Sequence, residues 1–257
     1  MSYSFKQAKA AVVEWFDLLS EGDDDGIVDE IEHDRQDYSL RPGLIRKLLV
    51  VTDPGSNAQF VAGGTYFFEG FEEAREFLHW ASYEHRDARG KIFEERDYVG
   101  NRRAHVCEVI AHVERPDMHS IPATVHVEGF RLTDQADRQK VVDAFRESAS
   151  FLNDASLLSV TCVYDPAENL YFNLSVRARA PKIADDDLPD THTVEASSLT
   201  RALLQATNAE RSDLIRFFVF TIWEGRRRDD PLPEAVWPNS PPLPCPAYWN
   251  RAVRSNG

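Results

Sequence analysis

A histidine and a glutamate in the segment Thr124–Leu132 have the residue types and spacing for proton transfer. His126 and Glu128 alternate with Val125 and Val127, so on a strand they share one face, about 6.5–7 Å apart. A carboxylate close to a histidine raises its basicity. Such a pair can take a proton from a phenol or an activated carbon acid. We predict His126 as base and Glu128 as its orienter, although a solvated strand face explains the same alternation.

Aromatic and polar residues elsewhere could line a substrate cavity. Core packing explains Tyr66 equally well, and solvent exposure explains the alternation along the strand that carries Tyr171. If helices cover that polar strand face instead, its side chains become hydrogen-bonding groups in a pocket. The residues predicted to bind substrate are Tyr66, Trp80, His85, Tyr171, Arg177 and Trp223.

The sequence predicts no metal site. His105-x-Cys107 and His112 lie on one predicted strand, without a third ligand in register for zinc. The acidic run Asp23-Asp24-Asp25 lacks the ordered spacing and closing glutamate of a calcium loop. No phosphate-binding loop, dinucleotide fingerprint or hydrolase motif is present.

The stretch Arg41–Ala81 positions two of these candidates. Its apolar runs Leu44–Thr52 and Phe60–Phe68 flank Asp53-Pro54-Gly55, a turn signal that predicts a hairpin. Apolar residues then recur at three- to four-residue spacing, which predicts a helix directly after the hairpin. Gly63-Gly64 inside the second strand indicates a bulge or the close approach of another backbone.

The remaining patterns predict a similar element order in the two halves of the chain. An apolar stripe from Ala8 to Leu19 predicts an opening helix, and a short helix follows at about 27–37. In the second half, 122–223, the order is strand, helix, strand, strand, helix, strand, as in a ferredoxin-like module. No residue-level repeat is evident. The other predicted elements are strands Lys91–Tyr98 and Arg103–Glu114 around Gly100-Asn101, strand Thr124–Leu132, a helix to about Leu152, hairpin strands Leu157–Tyr164 and Leu170–Ala178, a helix at Leu199–Ala206 and strand Leu214–Trp223.

These elements predict an α+β fold of two tandem ferredoxin-like modules, residues 1–118 and 119–225. An antiparallel sheet with helices on one face leaves its other face bare. Two modules in one chain can cover each other as a pseudo-dimeric α+β barrel, or each can also pair across a homodimer. The tail, 226–257, holds seven of the fourteen prolines within Pro231–Pro246. We expect a strap packed over the body, with a polyproline ligand as the alternative.

Composition limits the partners. The formal net charge is −14, which argues against nucleic acid or an anionic membrane as a partner. Three widely spaced cysteines without C-x-x-C spacing fit a reducing compartment. The N-terminal residues lack the apolar segment of a signal peptide, and no run of about 18 apolar residues exists. We therefore expect a cytoplasmic, acidic protein.

The residues Pro42-Gly43-Leu44-Ile45, Lys47, Asp53 and 63–68, with the glutamate-rich helix behind them, carry a resemblance. Over residues 41–81 the chain resembles the YdhR-type monooxygenases of the dimeric α+β barrel (ferredoxin-like) superfamily, which includes the antibiotic-biosynthesis monooxygenases. The resemblance implies cofactor-independent oxygenation of an aromatic or polyketide-like small molecule, or a related cyclase or isomerase reaction. Some relatives bind haem, for which His79, His85 or His126 would be the axial ligand. A non-catalytic ligand-binding or scaffold protein is the alternative class.

Overall fold

Eight strands and two helices of ten or more residues form the framework of the described part of the chain. The computed structural model describes residues 8–18, 33–34, 36–52, 61–114, 123–131, 138–147, 157–178 and 210–224. Residues 36–39 are also helical, and Phe93–Glu95 form one 3₁₀ turn. The elements are β1 Ala10–Leu18, β2 Leu44–Thr52, β3 Val61–Phe68, α1 Phe71–Tyr83, β4 Val99–Glu114, β5 Ala123–Arg131, α2 Arg138–Glu147, β6 Leu157–Asp165, β7 Leu170–Ala178 and β8 Glu210–Glu224.

The strands close into one antiparallel barrel in the order β1-β3-β2-β8-β5-β7-β6-β4. The first four strands of the chain are neighbours in the order β4-β1-β3-β2, and the last four repeat it as β8-β5-β7-β6. Pairing of β2 with β8 and of β4 with β6 joins the two halves. The sheets are thus hydrogen-bonded edge to edge, and their inner faces enclose the core. The α+β class is confirmed.

Apolar side chains fill the interior of the barrel. Strands β1 and β7 contribute alternate residues, which is the two-residue periodicity of a strand with one face inward. The outer faces pack under the helices, with Phe77 and Ala81 of α1 buried over the first half and Val141 of α2 buried over the second. The interior cluster consists of Ala11, Val13, Trp15, Leu48, Val50, Val61, Phe67, Cys107, Val125, Val127, Leu158, Val163, Leu170, Phe172, Leu174 and Val176.

The predicted opening helix is wrong, because its core, Ala10–Leu18, is strand β1. Both faces of β1 are buried: Val13 and Trp15 belong to the interior cluster, whereas Ala10 and Val12 pack in the cluster under α1. A strand buried on both faces reads as a continuous apolar run. Such a run also satisfies a helical periodicity, so the pattern could not distinguish the two.

The predicted strand Lys91–Tyr98 is also wrong. These residues form a connection containing the 3₁₀ turn, and one long strand, β4, begins at Val99. Gly100-Asn101 lies inside β4 near its irregular pairing with β1, and Asn101 has a φ of 26°. The turn residues thus mark a distortion within a strand instead of a hairpin.

The two predicted hairpins are confirmed in their strands. β2 pairs with β3, and β6 pairs with β7. A Cβ atom on Gly63 would clash with the carbonyl oxygen of Glu14, so the predicted close backbone approach is confirmed as well. The turn Asp53-Pro54-Gly55, the helix at Leu199–Ala206 and the tail 226–257 lie outside the described residues. Within the described chain, neither helix combines the length and apolarity needed to cross a membrane.

The equivalent strands of the two halves share a short sequence. β1 contains Val13-Glu14-Trp15-Phe16, and β5 contains Val127-Glu128-Gly129-Phe130. Both glutamates are buried. Glu14 pairs with a residue of β3, and Glu128 pairs with a residue of β7, the strands that correspond in the two halves. Each of these two strands thus holds a buried glutamate within a Val-Glu-x-Phe sequence.

Candidate functional site

A pocket of about 530 Å³ opens at one end of the barrel. It lies where the turn between β6 and β7 meets the first residues of β4 and the last residues of β5. Small-molecule sites commonly occupy the mouths of β-barrels and have volumes in this range. The lining residues are Trp15, Arg102, Arg103, Ala104, His105, Arg131, Glu168, Leu170 and Phe172.

A histidine that lines this pocket is paired with an aspartate behind it. Nδ1 of His105 lies 2.9 Å from Oδ2 of Asp165, and both side chains are buried. The imidazole packs against Trp15 at 5.4 Å and against Phe172 at 4.9 Å between ring centroids. Because the aspartate engages Nδ1, Nε2 is the nitrogen that can accept a proton from a ligand.

The β6–β7 turn fixes the aspartate of this pair. Oδ1 of Asp165 accepts hydrogen bonds from the backbone N–H groups of Ala167 at 2.8 Å and Glu168 at 3.4 Å. Burial alone raises the pKa of Asp165, but the hydrogen bonds from His105 and these N–H groups outweigh it and lower the pKa below its ordinary value. The carboxylate therefore stays ionised and orients the imidazole.

Two arginines on inward-facing strand positions flank the mouth. Arg103 pairs with Trp15 across β4 and β1 and is exposed. Arg131, at the end of β5, donates to the backbone oxygen of Glu168 at 2.6 Å and lies 3.5 Å from its carboxylate. The pocket thus combines an oriented base, aromatic walls and positive charge.

Donor atoms of His105, Asp165 and Glu168 lie within 4.8 Å of one another, close enough to share a cation. The zinc hypothesis for His105 concerned ligands on a single strand, so it did not include carboxylates from the β6–β7 turn. Oδ1 of Asp165 is nevertheless committed to the turn, its Oδ2 is at hydrogen-bonding distance from His105, and Glu168 faces Arg131. This arrangement favours a proton-transfer pair over a metal centre.

A second polar cluster lies on the outer face of the first half, beneath α1. Glu14 accepts a hydrogen bond from the Tyr66 hydroxyl at 2.8 Å and pairs with Arg102 at 2.7 Å. Arg102 also donates to Ser82 at 2.6 Å and to Glu94 at 3.3 Å. The guanidinium of Arg102 is therefore committed to this network, although the residue also contributes to the pocket wall.

A buried lysine belongs to the same layer. Nζ of Lys47 lies 4.1 Å from the ring centroid of Tyr38 and 4.9 Å from that of Tyr66. Burial lowers the pKa of Lys47 to about 8 and raises that of Tyr66 well above its ordinary value. Desolvation penalises the charged form of each group. Tyr38 and Tyr66 are buried together with Phe77 and Ala81 of α1, so we assign the cluster to the packing of α1 on the sheet.

The predicted residues whose side chains the structure describes divide into two groups, and none of these is among the residues that line the pocket. Tyr66, Trp80 and His85 lie in the layer beneath α1, where Trp80 and His85 have ring centroids 4.6 Å apart. His126 and Glu128 lie together on the outer face of β5. Tyr171 and Arg177 occupy the same outer face on β7, and the side chain of Trp223 lies outside the described residues.

The polar face of β7 is buried. Burial of this face is the condition under which we expected its side chains to become hydrogen-bonding groups in a pocket. Tyr171, Asn173 and Ser175 are all buried, and Asn173 donates to fully buried Glu128 at 3.4 Å. His126 is half-buried. Catalytic roles for His126 and Glu128, and substrate-binding roles for the other predicted residues, stay predictions, as does haem ligation by His79, His85 or His126.

The sequence offered only weak signals for the residues that line the pocket. The sequence marks His105 only as a possible metal ligand, and it places Asp165 and Glu168 in the short connection between the predicted strands Leu157–Tyr164 and Leu170–Ala178. An aspartate that opens a turn with proline next to it is typical of a side chain bonded to the following backbone. Its second oxygen was then available to a partner that only the strand pairing identifies.

Solved structures share this fold at low sequence identity. An anthrone oxidase-like protein is 11% identical, with a TM-score of 0.57 over 88% of this chain and 97% of that one. A Lactobacillus acidophilus protein provisionally described as a monooxygenase is 11% identical, with a TM-score of 0.54 over 84% and 96%. A Fusobacterium nucleatum protein with the same description is 12% identical, with a TM-score of 0.50 over 86% and 95%.

No family model and no curated protein matches the sequence. At this identity the likeness establishes the fold alone. The resemblance to the dimeric α+β barrel superfamily is therefore confirmed at the level of the fold.

Proposed function

We propose that this protein is a small-molecule enzyme that removes a proton from an aromatic substrate held in the pocket at the barrel mouth. His105 is the base, and Asp165 is the positioning residue. The observation that carries the proposal is the 2.9 Å contact of Asp165 with His105, which lines a 530 Å³ pocket. A histidine oriented by a carboxylate is a common arrangement for general-base catalysis.

The reaction favoured by this site is cofactor-independent monooxygenation. Nε2 of His105 takes a proton from an activated methylene group, and the resulting carbanion passes electrons to dioxygen. A peroxide forms at that carbon and loses water. In the balanced reaction, CH₂ and O₂ become C=O and H₂O. Trp15, Leu170 and Phe172 supply the apolar walls, which shelter the carbanion from water.

Related reactions begin with the same proton removal. A cyclase or isomerase would use the same base without dioxygen, so oxygen uptake separates these reactions from oxygenation. A haem-binding protein would show a Soret absorption band after purification and haem loading. A non-catalytic binding protein would hold a ligand in the pocket without removing its proton.

Anthrone is a suitable probe, because one solved structure of this fold is described as anthrone oxidase-like. We expect the wild-type protein to consume oxygen and convert anthrone to anthraquinone, and His105→Gln to slow this conversion by about a hundredfold. His79→Gln is the matched control, because this histidine is 66% exposed on α1. Chelation with EDTA should leave the rate unchanged. Full activity in His105→Gln would refute the proposal.

His126→Gln compares the base predicted from the sequence with the base suggested by the pocket. If His126→Gln abolishes conversion and His105→Gln does not, the reaction takes place on the outer face of β5 instead. The two variants therefore assign the reaction to one location.

The proposal includes a domain organisation. The strand order in each half of the chain is that of a ferredoxin-like module. We assign the modules to residues 1–118 and 119–225, followed by the tail 226–257, and interpret the barrel as a pseudo-dimer. The repeated strand order and the shared Val-Glu-x-Phe sequence support this interpretation. A single chain then supplies both halves of the barrel, and a homodimer stays the alternative.

A further inference from the structure

The pocket wall differs in charge from the protein as a whole. The chain has 43 acidic and 29 basic residues, yet the charged residues that line the pocket are three arginines and one glutamate. A concave site with an excess of one sign of charge attracts ligands of the opposite sign. An acidic protein with a basic pocket therefore suggests selection for an anionic ligand.

The three arginines are not equally able to bind a ligand. Arg102 is held by Glu14 and Glu94, and Arg131 by Glu168. Within the described parts of the chain, Arg103 makes no ion pair or side-chain hydrogen bond. It is the lining arginine whose charge a ligand can neutralise without displacing an internal partner.

Strand geometry places this arginine beside the proposed base. Arg103 and His105 are two residues apart on β4, so they face the same side about 6.5–7 Å apart along the strand. Arg103 is also the cross-strand partner of Trp15, whose ring packs on the imidazole. Arg103 and His105 both line the pocket, so a single ligand there can contact both of them.

We propose that the substrate is an aromatic carboxylate and that Arg103 binds its carboxylate group. This inference rests on the proposed function in taking the barrel mouth as the substrate site. A guanidinium donates two parallel hydrogen bonds to a carboxylate. This contact orients the ring so that its acidic position meets His105, and it disfavours neutral analogues, which leave Arg103 without a counter-ion.

Calorimetric titration with two probes of the same ring system tests the inference. We expect the anion 2-naphthoate to bind the wild-type protein about tenfold more tightly than neutral 2-naphthylmethanol. Added salt should weaken naphthoate binding and leave naphthylmethanol binding nearly unchanged. Equal affinity for the two probes would overturn the inference.

Variants assign the effect to one side chain. Arg103→Gln should weaken naphthoate binding by about tenfold without affecting naphthylmethanol, and Arg103→Lys should retain part of the difference. Arg89→Gln removes the same charge from an exposed turn outside the pocket, so it should bind as the wild type does. Identical naphthoate affinities in Arg103→Gln and Arg89→Gln would contradict the role of Arg103.

Binding and catalysis can fail separately in these experiments. Suppose that naphthoate binding depends on Arg103 but anthrone conversion does not require His105. The anion site would then be supported, and the proposed reaction would be refuted. If conversion requires His105 but the protein does not prefer naphthoate, the proposed reaction is supported and the proposal of a carboxylate on the substrate is refuted.

Discussion

Nδ1 of His105 on β4 lies 2.9 Å from Oδ2 of Asp165 at the end of β6, and these two strands belong to different halves of the chain. β4 and β6 pair at a seam where the halves join. The histidine therefore acquires its orienting carboxylate only when the barrel closes. Neither half contains the pair on its own.

Replacing Asp165 by asparagine should lower kcat for anthrone by at least about tenfold while KM changes little, because the imidazole loses its anionic partner. The amide that replaces the carboxylate would retain an oxygen for the N–H of Ala167, so the unfolding temperature should stay close to the wild-type value. Steady-state kinetics and thermal unfolding measure the two effects. Asp97→Asn, at an exposed carboxylate paired with Lys91, is the control. A change in KM without a change in kcat would argue against the role of Asp165 in positioning the imidazole of His105.

Local patterns predicted an element correctly wherever its own segment contained clear turn residues or a clear apolar periodicity. The hairpin of β2 and β3, helix α1, and the hairpin of β6 and β7 followed from turn residues and periodicity. β1 did not, since burial of both its faces removed the alternation that distinguishes a strand from a helix. The distortion of β4 at Asn101 likewise resembled a hairpin turn.

The pocket could not be predicted from local patterns, because its residues are distant in sequence. His105 and Asp165 are 60 residues apart, and their contact depends on the pairing of β4 with β6. The histidine–glutamate motif in β5 drew attention because its two residues alternate within one strand. The structure instead shows Glu128 fully buried and bonded to Asn173.

The buried pair of Glu14 and Arg102 should be important for stability. Their side chains are 3% and 7% exposed, and removing one partner of a buried pair costs about 3 kcal/mol. We therefore expect Glu14→Gln to lower the free energy of unfolding by roughly this amount in urea titrations. Glu72→Gln, whose side chain is 77% exposed, should change it by less than about 0.5 kcal/mol. Equal effects would contradict the importance of the pair.

Lys47 should make stability depend on pH. Its pKa falls from 10.5 to about 8 in the folded protein, so between these values the unfolded chain binds more protons and rising pH favours folding. Below pH 8 the cost of burying the charge is fully present. Each pKa unit corresponds to about 1.4 kcal/mol, so from pH ~7.5 to pH ~9.5 the wild type should gain about 2 kcal/mol relative to Lys47→Met. A constant difference between the two proteins would refute this.

Proton removal by His105 can be measured directly as hydrogen–deuterium exchange at the methylene group of anthrone, in deuterium oxide without dioxygen. Nuclear magnetic resonance follows the loss of the methylene signal, and no later oxygenation step affects it. We predict that wild type and His79→Gln accelerate the exchange and that His105→Gln exchanges about a hundredfold more slowly than wild type. Exchange by His105→Gln at the wild-type rate would contradict the assignment of His105 as the base.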